Sequence, residues 1–142
     1  PDAFLAILRR TYQLRIAHPW SLTALQNAPQ GANALRHAEQ TLAALDGSPF
    51  TDAQKLVVMA VADSFVDGHA LHRAEALAGP VDHPEVAAHT QRTLDLLESG
   101  PYRRIRDSMG QLSRSRAAGW MDEAFERGLT ALLDGLIRTY AG

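Results

Sequence analysis

A chain of 142 residues, of which 46% are apolar and 21% charged, is long enough to bury one hydrophobic core and too apolar to remain disordered. Its net charge of −2 gives it no bulk basic character, so we do not expect this segment alone to bind nucleic acid. The sequence contains no cysteine, which excludes disulfides, thiol catalysis and thiolate metal sites.

The hydropathy of the chain predicts where the protein is located, and its first residues bear on whether the sequence is a fragment. No apolar run approaches the roughly 18 residues of a membrane span, and no signal peptide is visible, so we expect a cytoplasmic protein without a membrane partner. The sequence enters a helical pattern directly at Pro1, without a methionine. We therefore expect a fragment of a longer protein; the alternative is a complete protein whose start was processed.

Helical periodicity runs through the chain and strand-like alternation is almost absent, which predicts an all-α fold. A first helix is expected over residues 2–17, because the residue before Pro19 resists the α conformation. A short helix over 20–25, the turn sequence NAPQG at 27–31 and a helix over 32–45 follow. The expected inward residues of the first and third helices are Phe4, Leu5, Leu8, Tyr12, Ile16, Ala34, Leu35, Ala38, Leu42 and Leu45.

The next helix, over residues 52–77, opens with a capping-box pattern in which Thr51 is followed by Gln54. Its apolar side chains surround it almost completely, and a helix that is apolar on all sides is typical of a central, buried position. These side chains are Leu56, Val57, Val58, Met59, Val61, Phe65, Val66 and Leu71.

Three further elements are expected after this central helix. A second capping pattern, Asp82 with Glu85, starts a helix to about residue 98, and a short amphipathic helix carries Tyr102, Ile105 and Met109 together with Leu112. Residues 113–119 (SRSRAAG) predict a mobile linker, and a final helix is expected over 120–140. The arginines at 103, 104, 106, 114 and 116 lack the interleaved aromatic residues of a single-strand binding surface, which favours a solvated segment.

The final helix has two apolar flanks. One flank carries large side chains: Met121, Phe125, Leu129, Leu132 and Leu136, with Leu133 and Ile137 beside them. Small residues share the other: Ala124, Gly128, Ala131 and Gly135. Each glycine inside a helix costs about 1 kcal/mol relative to alanine, so the second flank predicts the close approach of another helix. Periodicity leaves open whether that helix belongs to a partner subunit or to the same chain.

Four stretches of the sequence, in the correct order, resemble the C-terminal domains of the tetracycline-repressor-like (TetR/AcrR) transcriptional regulators. They are AHPW (17–20), ALQNAPQGANAL (24–35), FTDAQKLVVMAVADSFVDGHALHRAE (50–75) and FERGLTALLDGLI (125–137). The third stretch resembles the family's long central helix, and the last resembles its terminal helix. The resemblance covers nearly the whole chain.

This resemblance implies a bacterial repressor domain that binds a small molecule and forms a homodimer through a four-helix bundle of the central and final helices. The implied interface residues are Phe65, His69, Ala124, Gly128, Ala131, Leu132 and Gly135. The family's helix-turn-helix domain does not precede Pro1, so we expect one regulatory domain over 1–142 that contacts DNA only through that missing domain. No cofactor is expected.

The resemblance also implies where the effector binds. The implied pocket residues are Leu8, Tyr12, Trp20, Ala38, Thr41, Leu56, Met59, Ala60, Asp63 and His72. The tetracycline repressor holds a magnesium-chelated drug with a histidine and a threonine, whose places fall here near Leu25 and Ala28, which cannot coordinate magnesium. We therefore expect a different effector, small and apolar or amphipathic.

Several of these side chains have structural alternatives. Asp63, in mid-helix, either meets a ligand, pairs with a basic side chain or faces solvent, because an unpaired buried carboxylate is costly. Trp20 either stacks on a ligand or anchors the short helix, and Met59 is either a pocket wall or core filler. His18 and His37 are either polar pocket groups or surface histidines.

Two other functions compete with the sensing domain. A helical dimerisation module without ligand would have a solid core between the first and central helices, where a sensing domain would have a cavity. An all-α enzyme is the third class, but Asp63, Ser64 and His69 are spaced so that they do not converge as a triad. His69 and His72 lack an evident third metal ligand, so a hydrogen-bonding or interface role is favoured over a metal site.

Overall fold

A computed structural model describes residues 2–24, 31–78, 83–115 and 119–140. These residues form seven α-helices, and no strand occurs among them, which confirms the all-α prediction. The helices are α1 (Asp2–Ala17), α2 (Trp20–Ala24), α3 (Ala32–Ala43), α4 (Asp52–Ala78), α5 (Pro84–Ser99), α6 (Arg103–Ser115) and α7 (Trp120–Tyr140). Within these ranges no helix has both the length and the apolarity that crossing a bilayer requires.

The observed bounds match the sequence prediction best where a proline or a cap marks the end. Helices α1 and α7 begin and end as predicted. Helix α3 stops at Ala43, two residues early, because the Leu45 and Asp46 amides bond to carbonyls three residues back and Gly47 takes a φ of +76°. The prediction of a linker over 113–119 is wrong for 113–115, which extend α6, and residues 116–118 lie outside the described ranges.

The core lies where α4 meets α1 and α7. One stripe of α4, repeating every four residues, is fully buried: Val58, Ala62, Val66 and Ala70. Helices α1 and α7 meet it with a matching set at the same spacing: Phe4, Leu8, Tyr12, Phe125, Leu129 and Leu133. Each fully buried large apolar side chain contributes about 1.5–3 kcal/mol, so this seam supplies most of the hydrophobic stabilisation.

A polar bridge closes the same three-helix junction. The rings of Tyr12 and Phe125 stack with centroids 3.7 Å apart, and the Tyr12 hydroxyl donates to Oδ1 of Asp122 at 3.2 Å. Arg73 of α4 donates to the other oxygen of that carboxylate at 3.4 Å. Burial, and then the negative charge of Asp122, raise the pKa of Tyr12 to about 12. The phenol therefore stays protonated and ties α1 to α7.

Two of the burial predictions are wrong within this chain. Helix α4 is not buried on all sides, since Leu56, Val57, Val61 and Leu71 are between 37% and 52% exposed. In α3 the predicted inward residues Ala34 and Leu35 are exposed, whereas Thr41 is buried. The four residues of α4 stay exposed because α1 and α7 cover one stripe of α4 and α3 packs on another side of that helix.

Helices α5 and α6 form a hairpin that packs mainly on itself. No residue of α5 is buried. The Arg106 guanidinium donates to the carbonyls of Leu97 and Glu98 at 2.9 and 2.8 Å, which satisfies carbonyls that the C-terminus of α5 leaves unpaired. Arg103 pairs with Asp107 at 3.3 Å. Part of the basic run is therefore engaged locally.

The capping box at the start of α4 is formed as predicted. The Thr51 amide donates to Oε1 of Gln54 at 2.8 Å, and the Gln54 amide donates to Oγ1 of Thr51 at 3.3 Å. At the start of α5, His83 is the N-cap residue and makes no side-chain capping bond, whereas Asp82 lies outside the described residues.

Replacing the capping side chain should destabilise the fold measurably. Thr51→Ala removes one of the two reciprocal bonds and should lower the free energy of unfolding by about 1 kcal/mol. Thr93→Ala is the matched control, because that exposed threonine donates only to the His89 carbonyl of its own helix; its effect should stay within about 0.5 kcal/mol. Urea unfolding followed by far-UV circular dichroism measures both, and equal effects would contradict a specific cap.

Candidate functional site

An open cleft of about 370 Å³ lies where α1, α2 and α3 meet. Its walls are mostly apolar and are formed by Thr11, Leu14, Arg15, His18, Trp20, Ser21 and His37. The cleft exists because α1 ends before Pro19, and the chain then turns sharply into α2 through bonds from the Ser21 and Leu22 amides to the His18 and Pro19 carbonyls. Its volume lies within the range of small-molecule sites.

Two aromatic rings in the cleft, those of Trp20 and His18, do not pack in the hydrophobic core. Trp20 is 66% exposed, whereas Ser21 and Leu22 are buried, so Leu22 anchors α2 and the structural alternative for Trp20 is wrong. The rings of His18 and Trp20 lie 6.3 Å apart at an interplanar angle of 60°. An exposed indole beside an imidazole offers a planar ligand a surface for stacking.

Behind the cleft, an ion pair holds α1 against α4. Nε of Arg15 donates to Oδ1 of Asp67 at 3.0 Å, and its guanidinium also donates to the Ser21 carbonyl at 3.3 Å. The Arg15 side chain is only 19% exposed. One side chain therefore links α1, α2 and α4 at the floor of the cleft.

Asp63 lies one helical turn before Asp67 and is half-buried. Burial, and then the charge of Asp67, raise the pKa of the Asp63 carboxyl, while His37 and Arg15 act in the opposite direction. No hydrogen bond or ion pair joins this carboxyl to another residue of the described ranges. Of the alternatives set out from the sequence, pairing and full exposure are therefore not observed. Asp63 does not line the cleft, but His37 and Arg15, which do line it, lie close enough for their charges to act on this carboxyl.

The predicted pocket residues are divided among several places in the structure. Trp20 lines the cleft, while Leu8 and Tyr12 are in the core. Thr41 is buried and its hydroxyl donates to the His37 carbonyl at 2.8 Å. Ala38 and Met59 are half-buried, Ala60 is exposed, and the His72 ring is exposed 3.6 Å from Glu75. Leu56 lines a separate open cleft of about 280 Å³ with Leu42 and Lys55.

The sequence prediction missed Thr11, Leu14, Arg15 and Ser21 as wall residues. A signal was present for three of them. Thr11, Leu14, Arg15 and His18 follow the i, i+3, i+4, i+7 spacing of one helical face, adjacent to the buried face of α1. No comparable signal existed for Ser21, whose position depends on the turn after Pro19.

The small-residue flank of α7 has two different environments. A Cβ placed on Gly128 would lie 2.7 Å from Cζ of Phe65, whereas a Cβ on Gly135 would meet nothing within 4 Å. The close approach at Gly128 is therefore to the Phe65 side chain of the same chain. The Phe65 ring in turn contacts the rings of Phe125 and His69, with centroids 5.8 and 4.8 Å away.

The open part of this surface continues from α7 onto α4. Val57 and Val61 are 44% and 37% exposed, Ala131 is exposed, and a Cβ on Gly68 would also meet nothing within 4 Å. Among the other predicted interface residues, Ala124, Leu132 and Gly135 are half-buried. The two helices thus present one shallow, largely apolar surface, which we call the α4–α7 face.

The structure gives no sign of metal or nucleophilic chemistry in the part of the chain that it describes. It contains no group of three or more His, Cys, Asp or Glu side chains arranged to hold a metal ion. The Ser64 hydroxyl donates to the Ala60 carbonyl of its own helix at 2.8 Å. Burial, and secondly His72, lower the pKa of the His69 imidazole, whose ring contacts Phe65 and Phe125.

The environment of Asp63 predicts a pH-dependent stability. Because the pKa of this carboxyl is raised in the fold, the folded state binds its proton more tightly than the unfolded chain does. The ionised carboxyl therefore destabilises the fold at neutral pH, and this effect fades as the pH falls through the raised pKa of the folded state and is lost below about 4, where aspartate of the unfolded chain also becomes protonated. Asp63→Asn should raise the melting temperature at pH 7 and have little effect in acid.

Asp67→Asn provides the contrasting variant. It removes the partner of the largely buried Arg15, so it should lower the melting temperature at neutral pH. Thermal unfolding of both variants across the acid range measures the difference. A gain for Asp63→Asn that stays constant with pH would show that the carboxyl charge is not its cause.

Comparison with known proteins identifies the family. No curated protein matches the chain, and no solved structure does. The family model described as "Tetracyclin repressor-like, C-terminal domain" matches residues 1–140. That match covers the α1–α2–α3 cleft, the α4–α7 face and the α5–α6 hairpin together, and the chain therefore belongs to the tetracycline-repressor-like family of transcriptional regulators as its C-terminal domain.

Proposed function

We propose that this domain senses a small amphipathic effector in the α1–α2–α3 cleft and controls a bacterial repressor through its own dimerisation. The observation that carries the proposal is the exposed Trp20 indole in a mostly apolar cleft of about 370 Å³. An exposed indole in the wall of a concave, mostly apolar cleft gives a planar ligand a surface to stack on.

The chemistry of the cleft suggests what the effector looks like. Trp20 and Leu14 provide apolar contact area for a planar ring, and His18 and His37 provide hydrogen-bonding groups. The places expected to hold a magnesium chelate, near Leu25 and Ala28, lie outside the described residues, and we propose an effector without a metal.

The α4–α7 face supports a homodimer formed by a four-helix bundle. Its exposed residues combine β-branched side chains on α4 with small residues on α7, so that helices of a second copy can approach closely. In our proposal, an effector that binds one dimer arrangement more tightly shifts the equilibrium toward it. DNA contact then belongs to an N-terminal helix-turn-helix domain outside this sequence.

One observation favours the second candidate, a dimerisation module without ligand. The seam between α1 and α4, where a cavity was expected, is filled by Phe4, Leu8, Tyr12 and Val58, each at most 1% exposed. The cleft on the other side of α1 is what supports the sensing function. A direct binding test separates the two candidates.

The binding test uses Trp20 as its own reporter. The chain has two tryptophans, so Trp120→Phe leaves Trp20 as the only indole. Anilinonaphthalenesulfonate, a planar amphipathic dye, should bind this variant saturably and receive excitation energy from Trp20. Dye that binds equally well to Trp20→Ala, or that shows no saturable binding, would contradict a ligand site in the cleft.

The dimer test uses the difference between the two glycines of α7. Gly135→Leu has room within its own chain and should abolish the dimer while helicity is kept. Gly128→Leu meets the Phe65 ring and should also lower the melting temperature. Ala87→Leu, on the exposed surface of α5, is the control.

Light scattering over a dilution series measures the outcome. The unmodified chain and Ala87→Leu should have masses near 31 kDa, which is twice 15.5 kDa. Gly135→Leu should have the mass of one chain. A dimeric Gly135→Leu would exclude the α4–α7 face as the interface, and a monomeric unmodified chain would contradict dimerisation by this domain.

A further inference from the structure

A second cavity lies at the opposite end of α1 from the cleft. It has a volume of about 160 Å³ and is enclosed by the first turn of α1, the turn between α3 and α4, and the C-terminal half of α7. Most of its wall is apolar and comes from Phe4, Leu5, Leu45, Phe50, Leu133 and Ile137. Nothing in the function proposed above uses this cavity.

The wall of this cavity belongs to the ordered core. Phe4, Leu45, Phe50 and Leu133 are all less than 9% exposed. Phe50 also packs edge-on against Tyr140, with ring centroids 6.3 Å apart. Because these side chains are held by other contacts, the cavity does not collapse when it is empty, and its shape is formed before a ligand arrives.

The volume limits the occupant to a single ring. A cavity of about 150 Å³ lined by leucine, isoleucine and phenylalanine is known to hold benzene. Drug-sized ligands occupy sites of about 300–1,000 Å³, so they are too large for this one. The two phenylalanine rings in the wall favour an aromatic occupant, which can adopt edge-to-face contacts with them.

One polar atom of the wall lacks a partner. Oγ of Ser48, in the turn between α3 and α4, is shielded from solvent and has no hydrogen-bond partner in the described structure. A shielded hydroxyl without a partner costs about 1–3 kcal/mol. A serine hydroxyl both donates and accepts, so a ligand hydroxyl is a suitable partner once the Ser48 side chain has rotated from its shielded position toward the cavity.

The rim of the cavity selects against anions. Asp134 lines it and is exposed, whereas the nearby Thr130 hydroxyl already donates to the Glu126 carbonyl at 3.0 Å. A carboxylate at the rim repels a ligand carboxylate such as that of benzoate. A neutral hydroxyl is not repelled.

We propose that this cavity is a second small-molecule site that takes a neutral, monocyclic phenol. The ring occupies the space between Phe4, Phe50 and Leu133, and the Ser48 side chain rotates so that its Oγ pairs with the phenol hydroxyl. The site is separate from the α1–α2–α3 cleft, so it does not depend on whether that cleft binds an effector.

The test compares phenol, toluene and benzoate by saturation-transfer NMR on the unmodified chain. Toluene has the same shape as phenol but no hydroxyl, and benzoate adds the charge. Phenol should bind with a Kd on the order of 1 mM, because a single ring has little surface to bury. Toluene should bind about 5-fold more weakly, the effect of one net hydrogen bond, and benzoate should not bind detectably.

Three variants locate the binding. Ser48→Ala should weaken phenol binding about 5-fold and leave toluene unchanged, since it removes only the hydroxyl. Ile137→Phe should fill the cavity and abolish binding of both, and circular dichroism checks that this variant folds. Trp20→Ala, in the other cleft, should leave phenol binding unchanged.

Each contrary result overturns a stated part of the proposal. No phenol binding at millimolar concentration, or binding that is lost in Trp20→Ala but kept in Ile137→Phe, would overturn the site itself. Equal affinities of phenol for Ser48→Ala and the unmodified chain would overturn the role of Ser48. If Ile137→Phe does not fold, phenol binding that is unchanged in Ser48→Ala would overturn the site as well as the role of Ser48.

Discussion

The fully buried stripe of α4 is the constraint on which the rest of the structure depends. Val58, Ala62, Val66 and Ala70 recur every fourth residue and alternate in size, so that side chains of α1 and α7 fit against a regular surface. Two of the four are alanines, which lets the neighbouring helices approach closely. The remaining helices lie outside this seam. Helix α3 packs on a second side of α4, and the α5–α6 hairpin lies outside the core.

The same constraint explains why neither candidate site lies in the seam, since no residue of α4 lines either of them. A dry, close-packed interface between α1 and α4 has no space for a ligand, so the available space lies where short elements turn. The α1–α2–α3 cleft is formed by the turn at Pro19, and the smaller cavity by the turn at Gly47. Part of the remaining surface of α4, which includes Val57 and Val61, stays apolar and exposed within one chain, which is the arrangement that a symmetric bundle needs.

The features of the fold and of the cleft that could be predicted are those whose sequence signal lies within a few neighbouring residues. The ends of α1 and the capping box at Thr51 follow from one proline and from two side chains three residues apart, and both were predicted. The exposure of Leu35 and Leu56 was not predicted, because the apolar character of a residue does not tell whether another helix covers it. For Gly128, the small-residue spacing correctly predicted a close approach but could not say that Phe65 makes it. The cleft was only partly predicted, since its position depends on how α2 turns against α1.

The contacts around Arg15 indicate how a ligand in the cleft would influence the dimer in the function that we propose. A ligand there touches α1, α2 and α3, whereas the α4–α7 face belongs to other helices. The Arg15–Asp67 pair and the nearby Asp63 carboxyl connect the cleft floor to α4. Because the seam between α1 and α4 is close-packed, it resists gradual deformation, and α4 would move with α1 as a rigid body. A ligand that shifts Arg15 would then favour one position of α4, and the two α4 helices of a dimer would carry that preference across the interface.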